Sequence, residues 1–322
     1  MLLAGDIGGT KTLLGLFDRA FPRPHPIASR SFSTLEYGDL VTMISVFATE
    51  AAVSRGSIEA AAFGVAGPVI EATAQLTNVP WRLDARRLAE TLDIARVSLL
   101  NDLQAMAYAV PALQVDELHV LQEGFAAAGG HMALIAAGTG LGEAFLHFVD
   151  GRYIPSPSEA GHADFAARTE RDITVLRALV QRYTRASVEH VVSGPGLVNL
   201  YRALHAGPCR AGIDETSRGA PAAITSAALE GRCPGCAETL ATFIDAYGAE
   251  AGNLALRTVS TAGLFVGGGI APQILPALAD GSFMRAFRDK APLDDLMARI
   301  PVKVILHTEP GLLGAAVYAQ GF

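Results

Sequence analysis

The chain has little cysteine, three residues in 322. That excludes the disulfide framework of a small secreted domain. Charged residues are also sparse at 18%, but half of all residues are apolar, which excludes general disorder. Lys and Arg number 25 against 32 Asp and Glu, a net charge of −7. A nucleic-acid-binding chain normally carries a basic face, and none shows in this balance. No run reaches the roughly 18 uncharged apolar residues that cross a membrane. The apolar segment 1–9 contains Asp6 and lacks a basic leader, so it does not read as a signal peptide. These absences leave a cytoplasmic α/β protein with no nucleic-acid and no membrane partner as the expectation. At about 150 residues per domain, the length predicts about two domains.

What the chain does have is glycine placed between apolar runs. Residues 2–18 read as strand, tight turn, strand: Leu2-Leu3-Ala4-Gly5 leads to Asp6-Ile7-Gly8-Gly9-Thr10, and Lys11-Thr12-Leu13-Leu14-Gly15-Leu16-Phe17 follows. A Walker A loop or a Rossmann fingerprint needs a helix after its glycines. This return segment has strand character and no Gly-Lys-Ser/Thr ending. The theme recurs further on, with a strand at 131–137, the turn Gly138-Thr139-Gly140-Leu141-Gly142, and a strand at 143–149. Two such units predict a duplicated architecture with a cleft between its halves. Between them, helices are predicted at 34–56, 83–92 and 103–110, and strands at 60–65 and 97–100. After residue 165 the chain reads as mainly helical, at 171–182, 196–205, 221–230 and 236–255. A strand at 261–266 then meets a third turn, Gly267-Gly268-Gly269-Ile270, and a strand at 302–306 and a small apolar helix at 311–320 close the chain.

Glycines let backbone N–H groups approach an anion without a Cβ in the way, so paired turns of this kind suit a triphosphate tail. Thr10 and Thr139 offer hydroxyls to phosphate oxygens. Asp6 suits Mg²⁺ held through water, because Mg²⁺ keeps several waters and takes few carboxylates. The competing reading of each turn is a plain hairpin, and Lys11 reads as a solvated turn residue. Asn101-Asp102 stands where a strand gives way to a helix, at the sheet mouth where α/β ligands lie. Asp102 is there the candidate general base, with helix capping as the alternative for the pair.

These elements, in this order, resemble the bacterial glucokinase family of the hexokinase and actin-like ATPase superfold, from residue 3 to residue 320. Gly5-Asp6-Ile7-Gly8-Gly9-Thr10 is similar to the family's first phosphate motif and Gly138-Thr139-Gly140-Leu141-Gly142 to its second. Gly267-Gly268-Gly269-Ile270 is similar to the adenosine motif, and Leu100-Asn101-Asp102 to the sugar and catalytic-base motif. Ser158-Glu159-Ala160-Gly161-His162 and Glu189-His190-Val191-Val192-Ser193-Gly194-Pro195-Gly196 resemble segments particular to the family.

The resemblance implies an α/β, two-domain actin-like ATPase (ribonuclease H-like) fold with a cleft between a small α/β domain and a larger α+β domain. The small domain would be split, residues 1–110 plus 303–322, with 111–302 forming the larger one. It implies ATP-dependent phosphorylation of glucose at the 6-hydroxyl, to glucose 6-phosphate and ADP, with Asp102 as base. ATP with Mg²⁺ would lie against the three glycine turns. Asn101, Asp102, Glu159, His162 and Glu189 would bind glucose, and Asn78 would touch it from a wall loop at 77–81. His190 reads as structural. The family also implies a homodimer. Two alternatives stay open: a kinase of another hexose or N-acetylhexosamine, and a sugar-sensing regulator on the same fold. The second would need a nucleic-acid-binding module, which neither the start of this sequence nor its charge suggests.

His205, Cys209, Cys233 and Cys236 have metal-like spacing, ending in Cys-Pro-Gly-Cys. A related family of sugar kinases and repressors carries zinc on a Cys-x-Cys-Gly-x-x-Gly-Cys run that this chain lacks. A single Cys-x-x-Cys pair is a weak signal, and ordinary buried or helix-terminal thiols are the expected reading.

Overall fold

The computed structural model describes residues 1–76, 79–205 and 207–321. It divides into two compact units: residues 1–114, 153–157 and 307–322 in the first, and 115–152 and 158–306 in the second.

The first unit is built on strands β1 (Leu2–Ile7), β2 (Lys11–Asp18), β3 (His25–Ser33), β4 (Ala60–Val65) and, after three short strands β5 (Val69–Ile70), β6 (Thr73–Gln75) and β7 (Arg82–Asp84), β8 (Arg96–Asn101). The large sheet runs β3-β2-β1-β4-β8, with β1 antiparallel to β2 and parallel to β4. β1 is apolar on consecutive residues because both its faces are covered. Leu3 and Ile7 face Met43, Ile44 and Phe47 of helix α1 (Leu40–Glu50). Leu2 and Ala4 face Leu312, Ala315 and Ala316 of the C-terminal helix Pro310–Gln320. Two further helices flank the sheet, α2 (Ala85–Leu92) and α3 (Asp102–Ala109). The C-terminal helix crosses α3 closely: a Cβ at Gly314 would sit 1.7 Å from the Ala105 carbonyl oxygen, so no larger residue fits there.

The predicted helix 34–56 is shorter than its periodicity suggests. Asp39 caps α1, its side chain accepting from the Thr42 N–H, and residues 34–36 form only one 3₁₀ turn.

The second unit contains β9 (Leu118–Gln122), β10 (Met132–Ala137) and β11 (Leu141–Val149). The short β12 (Arg152–Ser158) runs mostly through residues of the first unit, and β13 (Gly263–Gly267) and β14 (Val302–Ile305) come late in the chain. Five of these pair in the order β11-β10-β13-β14-β9, again with one antiparallel hairpin beside parallel strands. Because β14 pairs with β13, the return of the chain to the first unit begins at His307 rather than at residue 303. Helices α4 (Glu170–Tyr183), α5 (Gly194–Leu204), α6 (Ala220–Leu229) and α7 (Pro234–Thr258) are followed by the short α8 (Leu275–Leu278), α9 (Ser282–Arg288) and α10 (Asp294–Arg299). α7 is buried on most of its surface, with Phe243, Ile244, Tyr247 and Leu254 in one core with Ile135 of β10 and Val266 of β13. Among the described residues no helix is long and apolar enough to cross a membrane.

Candidate active site

In the first unit the turn between β1 and β2 is closed by a hydrogen bond from the Gly8 N–H to the Lys11 carbonyl, 3.0 Å. A Cβ at Gly8 would meet that same oxygen at 2.9 Å, so the tight turn requires glycine. Thr34, fully buried, holds the turn from behind. Its hydroxyl donates to the Gly8 carbonyl (2.9 Å) and pairs with the Thr12 hydroxyl (2.8 Å), while its N–H donates to the Thr10 carbonyl (3.0 Å). Gly5, Asp6 and Ile7 belong to β1 itself, and Thr10 and Lys11 are exposed at the turn.

Asp6 is half-buried near the end of β1, against the first turn of the C-terminal helix, where a Cβ at Gly311 would come within 2.7 Å of its carboxylate. Its carboxyl is pushed up to about 6, chiefly by desolvation and then by the negative charges of Asp102 and Glu309; Lys11 opposes them in part. Asp6 is thus a hard-oxygen donor among other negative charges, the chemistry that suits a hydrated Mg²⁺.

Asn101 and Asp102 divide the work between them. Asn101 caps α3, its side-chain oxygen accepting from the N–H groups of Leu103 (3.0 Å) and Gln104 (3.3 Å), and its amide donates to the Gly67 carbonyl (3.2 Å). Asp102 follows as the first residue of α3 and is exposed, one oxygen accepting from the Leu103 N–H at 2.8 Å.

The second unit gathers Glu159, His162 and Glu189. His162 stands on a 3₁₀ turn, its Nε2 4.0 Å from Glu159 and its Nδ1 3.9 Å from Glu189. Glu189 also accepts from the Leu141 N–H at 2.9 Å, so its carboxylate is tied to the turn after β10. A Cβ at Gly140 would strike that carboxylate at 2.6 Å, which explains the glycine. The turn is braced further by Gly138 N–H to the Gly140 carbonyl and Gly194 N–H to the Gly138 carbonyl, each 2.8 Å. A Cβ at Gly138 or at Gly269 would meet nothing within 4 Å, so both backbones border open space. Thr139 is exposed beside them. Gly267 ends β13, and Gly268, at φ +86°, lies so close to Ala137 that a Cβ would be 2.2 Å from its carbonyl oxygen. The Ile270 N–H then donates to the same carbonyl, joining the turn after β13 to the turn after β10.

Two residues that hold these turns escape the sequence reading. Thr34 is one. Tyr247 is the other: its buried hydroxyl accepts from the Ala137 N–H (3.2 Å) and lies 3.3 Å from the Gly267 carbonyl, at the ends of β10 and β13. His190 packs as expected of a structural residue, stacked on Tyr183 at 4.2 Å with its Nδ1 accepting from the Ser187 N–H. Asn78 lies outside the described residues.

A family model described as glucokinase matches residues 3–322. The chain belongs to the glucokinase family. It is 41% identical to a glucokinase of Nostoc punctiforme over 338 aligned residues, 99% of this chain and 98% of the relative. Among solved structures, a glucokinase from an Antarctic psychrotroph superposes with a TM-score of 0.88 at 28% identity, over 100% of this chain and 99% of that one. A ROK family glucokinase from Streptomyces griseus, solved in complex with glucose and AMPPNP, matches with a TM-score of 0.65 at 21% identity, over 100% and 99% of the two chains, and shows the fold alone. The fold is the α/β actin-like ATPase fold expected from the motifs. As a member of the glucokinase family the chain is an enzyme that phosphorylates sugar with ATP.

Proposed function

We propose that this enzyme transfers the γ-phosphoryl group of ATP to the 6-hydroxyl of glucose, giving glucose 6-phosphate and ADP, with Asp102 as general base. The observation that carries the base assignment is the position of Asp102: it is the first residue of α3, directly after the capping Asn101, and its carboxylate is exposed at the end of β8. That carboxylate takes the proton of the 6-hydroxyl as the sugar oxygen bonds to phosphorus and the bond to the bridging oxygen of ADP breaks. Glu159, His162 and Glu189 accept and donate to the remaining hydroxyls, and the second amide hydrogen of Asn101 is available to one more. A site built on such groups rejects analogues that lack a hydroxyl. Gly8, Gly9 and Thr10 with Gly138, Thr139 and Gly140 cradle the phosphates, and Gly267, Gly268 and Gly269 border the adenosine. Asp6 would hold Mg²⁺ through water; the ion, when bound, neutralises phosphate charge. The reading extends to a cytoplasmic homodimer.

The test is a coupled assay with ATP over glucose, mannose, fructose and N-acetylated hexoses, run on the native chain and on Asp102→Ala. Strict glucose preference is expected, with kcat falling by about 10²–10⁴ in the variant while glucose binding survives. Near-normal turnover in Asp102→Ala removes the base assignment, and preference for an N-acetylated hexose moves the substrate.

A further inference from the structure

Away from the glycine turns, the second unit brings together four metal-ligating side chains that the sequence spreads over more than two helices. His205 terminates α5, Cys209 lies in the loop beyond it, Cys233 caps α7, and Cys236 lies in the first turn of α7. Their donor atoms all lie within 4.8 Å of one another. The Cys209 sulfur is 3.7 Å from that of Cys233 and 3.9 Å from that of Cys236, and His205 Nε2 is 3.2 Å from the Cys233 sulfur. A tetrahedral zinc with Zn–S near 2.3 Å and Zn–N near 2.0–2.1 Å places sulfurs about 3.8 Å apart and nitrogen about 3.6 Å from sulfur. The two sulfur separations bracket the first value and the nitrogen lies about 0.4 Å inside the second, whereas a disulfide needs its sulfurs at about 2.0 Å.

The surroundings are shaped for a ligand set and not for loose thiols. Gly235, between the two cysteines, is where the His205 ring comes in: a Cβ there would be 2.3 Å from the ring carbon Cδ2 and 2.7 Å from Nε2. The ring is held on its other side by Tyr201, centroids 4.5 Å apart. Backbone N–H groups of Ala211 and Ile213 face the Cys209 sulfur, and those of Arg210 and Cys236 face the Cys233 sulfur. Cys233 and Cys236 are buried in a small apolar cluster with Tyr201, Ile224 and Ala227, which shields the site from water.

We infer that His205, Cys209, Cys233 and Cys236 form a structural Cys₃His zinc site. All four positions are filled by protein, as a structural and not a catalytic zinc requires. Binding releases the thiol protons to solvent and closes the loop between α5 and α7. The site anchors the C-terminal end of α5, the helix whose Gly194 N–H holds Gly138 at the other end. The clip thus fixes, some 16 Å away along the helix axis, one brace of the second phosphate turn.

The experiment is elemental analysis of the full chain, purified from zinc-supplemented medium and, separately, unfolded in chelator and refolded with zinc. About one equivalent of zinc per chain is expected in both preparations. Less than half an equivalent in both overturns the proposal, as does a mass two hydrogens lighter that reports a cysteine disulfide. Cys209→Ser, at the half-exposed ligand, is expected to lose the metal and to melt several degrees lower, and chelation of the native chain is expected to lower its melting temperature by a similar amount. Zinc retained at full occupancy in Cys209→Ser places the metal elsewhere and also overturns the site.

Discussion

In the first unit the glycine turn is fastened by a neutral side chain, the Thr34 hydroxyl, which reaches the Gly8 carbonyl. In the second unit the equivalent turn is fastened by a carboxylate, Glu189, which bonds the Leu141 N–H with one oxygen and faces His162 with the other. The hairpins are alike in pairing and in their parallel neighbours. They differ in what a change at the turn is connected to. Under the proposed assignments, a shift in the first turn acts on phosphate, and a shift in the second is shared with residues that hold glucose. On the same assignments, the single side chain of Glu189 ties the second phosphate turn to the sugar-binding His162.

Glu189→Ala tests that connection with the largest expected effect. It removes a carboxylate that partners a backbone N–H and borders His162. Leaving such a partner unsatisfied costs about 1–3 kcal/mol, on the order of 5–150-fold in binding. The KM for ATP and the KM for glucose are both expected to rise. A rise in one alone breaks the comparison. Thr34→Val, close in shape but without the hydroxyl, is the smaller counterpart in the first unit. It is expected to raise the KM for ATP several-fold and leave that for glucose unchanged, as measured by steady-state kinetics with each substrate varied in turn. An equal rise in both joins the first turn to the sugar site after all.

These two residues also mark where the sequence stops being readable. The hairpins are legible because glycine and small polar residues interrupt apolar runs, and that contrast survives in any one sequence. β3 is not, because it is a sheet-edge strand whose residues are mostly exposed and do not alternate cleanly. β5, β6 and β7 are too short to show a period at all. At the site, Asp102 is legible from its place at a strand-to-helix junction, whereas Glu159, His162 and Glu189 rest on the family resemblance, because an isolated acidic residue looks like surface. Thr34 and Tyr247 act on backbone groups distant in sequence, and such a role leaves no spacing pattern. The cysteines show the same limit: Cys233 and Cys236 form a visible pair, but only the fold brings His205 and Cys209 to them.

A second contrast between the hairpins lies in their acidic residues, and it carries the smallest effect. Asp6 of β1 is half-buried beside other carboxylates; Glu143 of β11 is fully buried behind its turn. As a carboxylate Glu143 has no hydrogen-bond donor in reach among the described residues, since Arg257 stays 3.9 Å away and bonds Glu250 instead at 2.7 Å. When protonated, Glu143 donates to Glu250. Desolvation first, and the Glu250 charge second, therefore raise its pKa to about 8 from the ordinary 4.5. The folded chain thus keeps a proton that the unfolded chain releases. Below about pH 4.5 both states hold it; between about 4.5 and 8 the unfolded state alone loses it, so stability falls as pH rises through that window. The melting temperature of the native chain should decline from pH 5 to pH 8, and Glu143→Gln, neutral at every pH and able to donate to Glu250, should flatten the decline. Thermal melts of both chains across that range decide the matter: parallel curves mean that Glu143 is already ionised in the fold. In that case Glu143 is carried as a charge across the whole range.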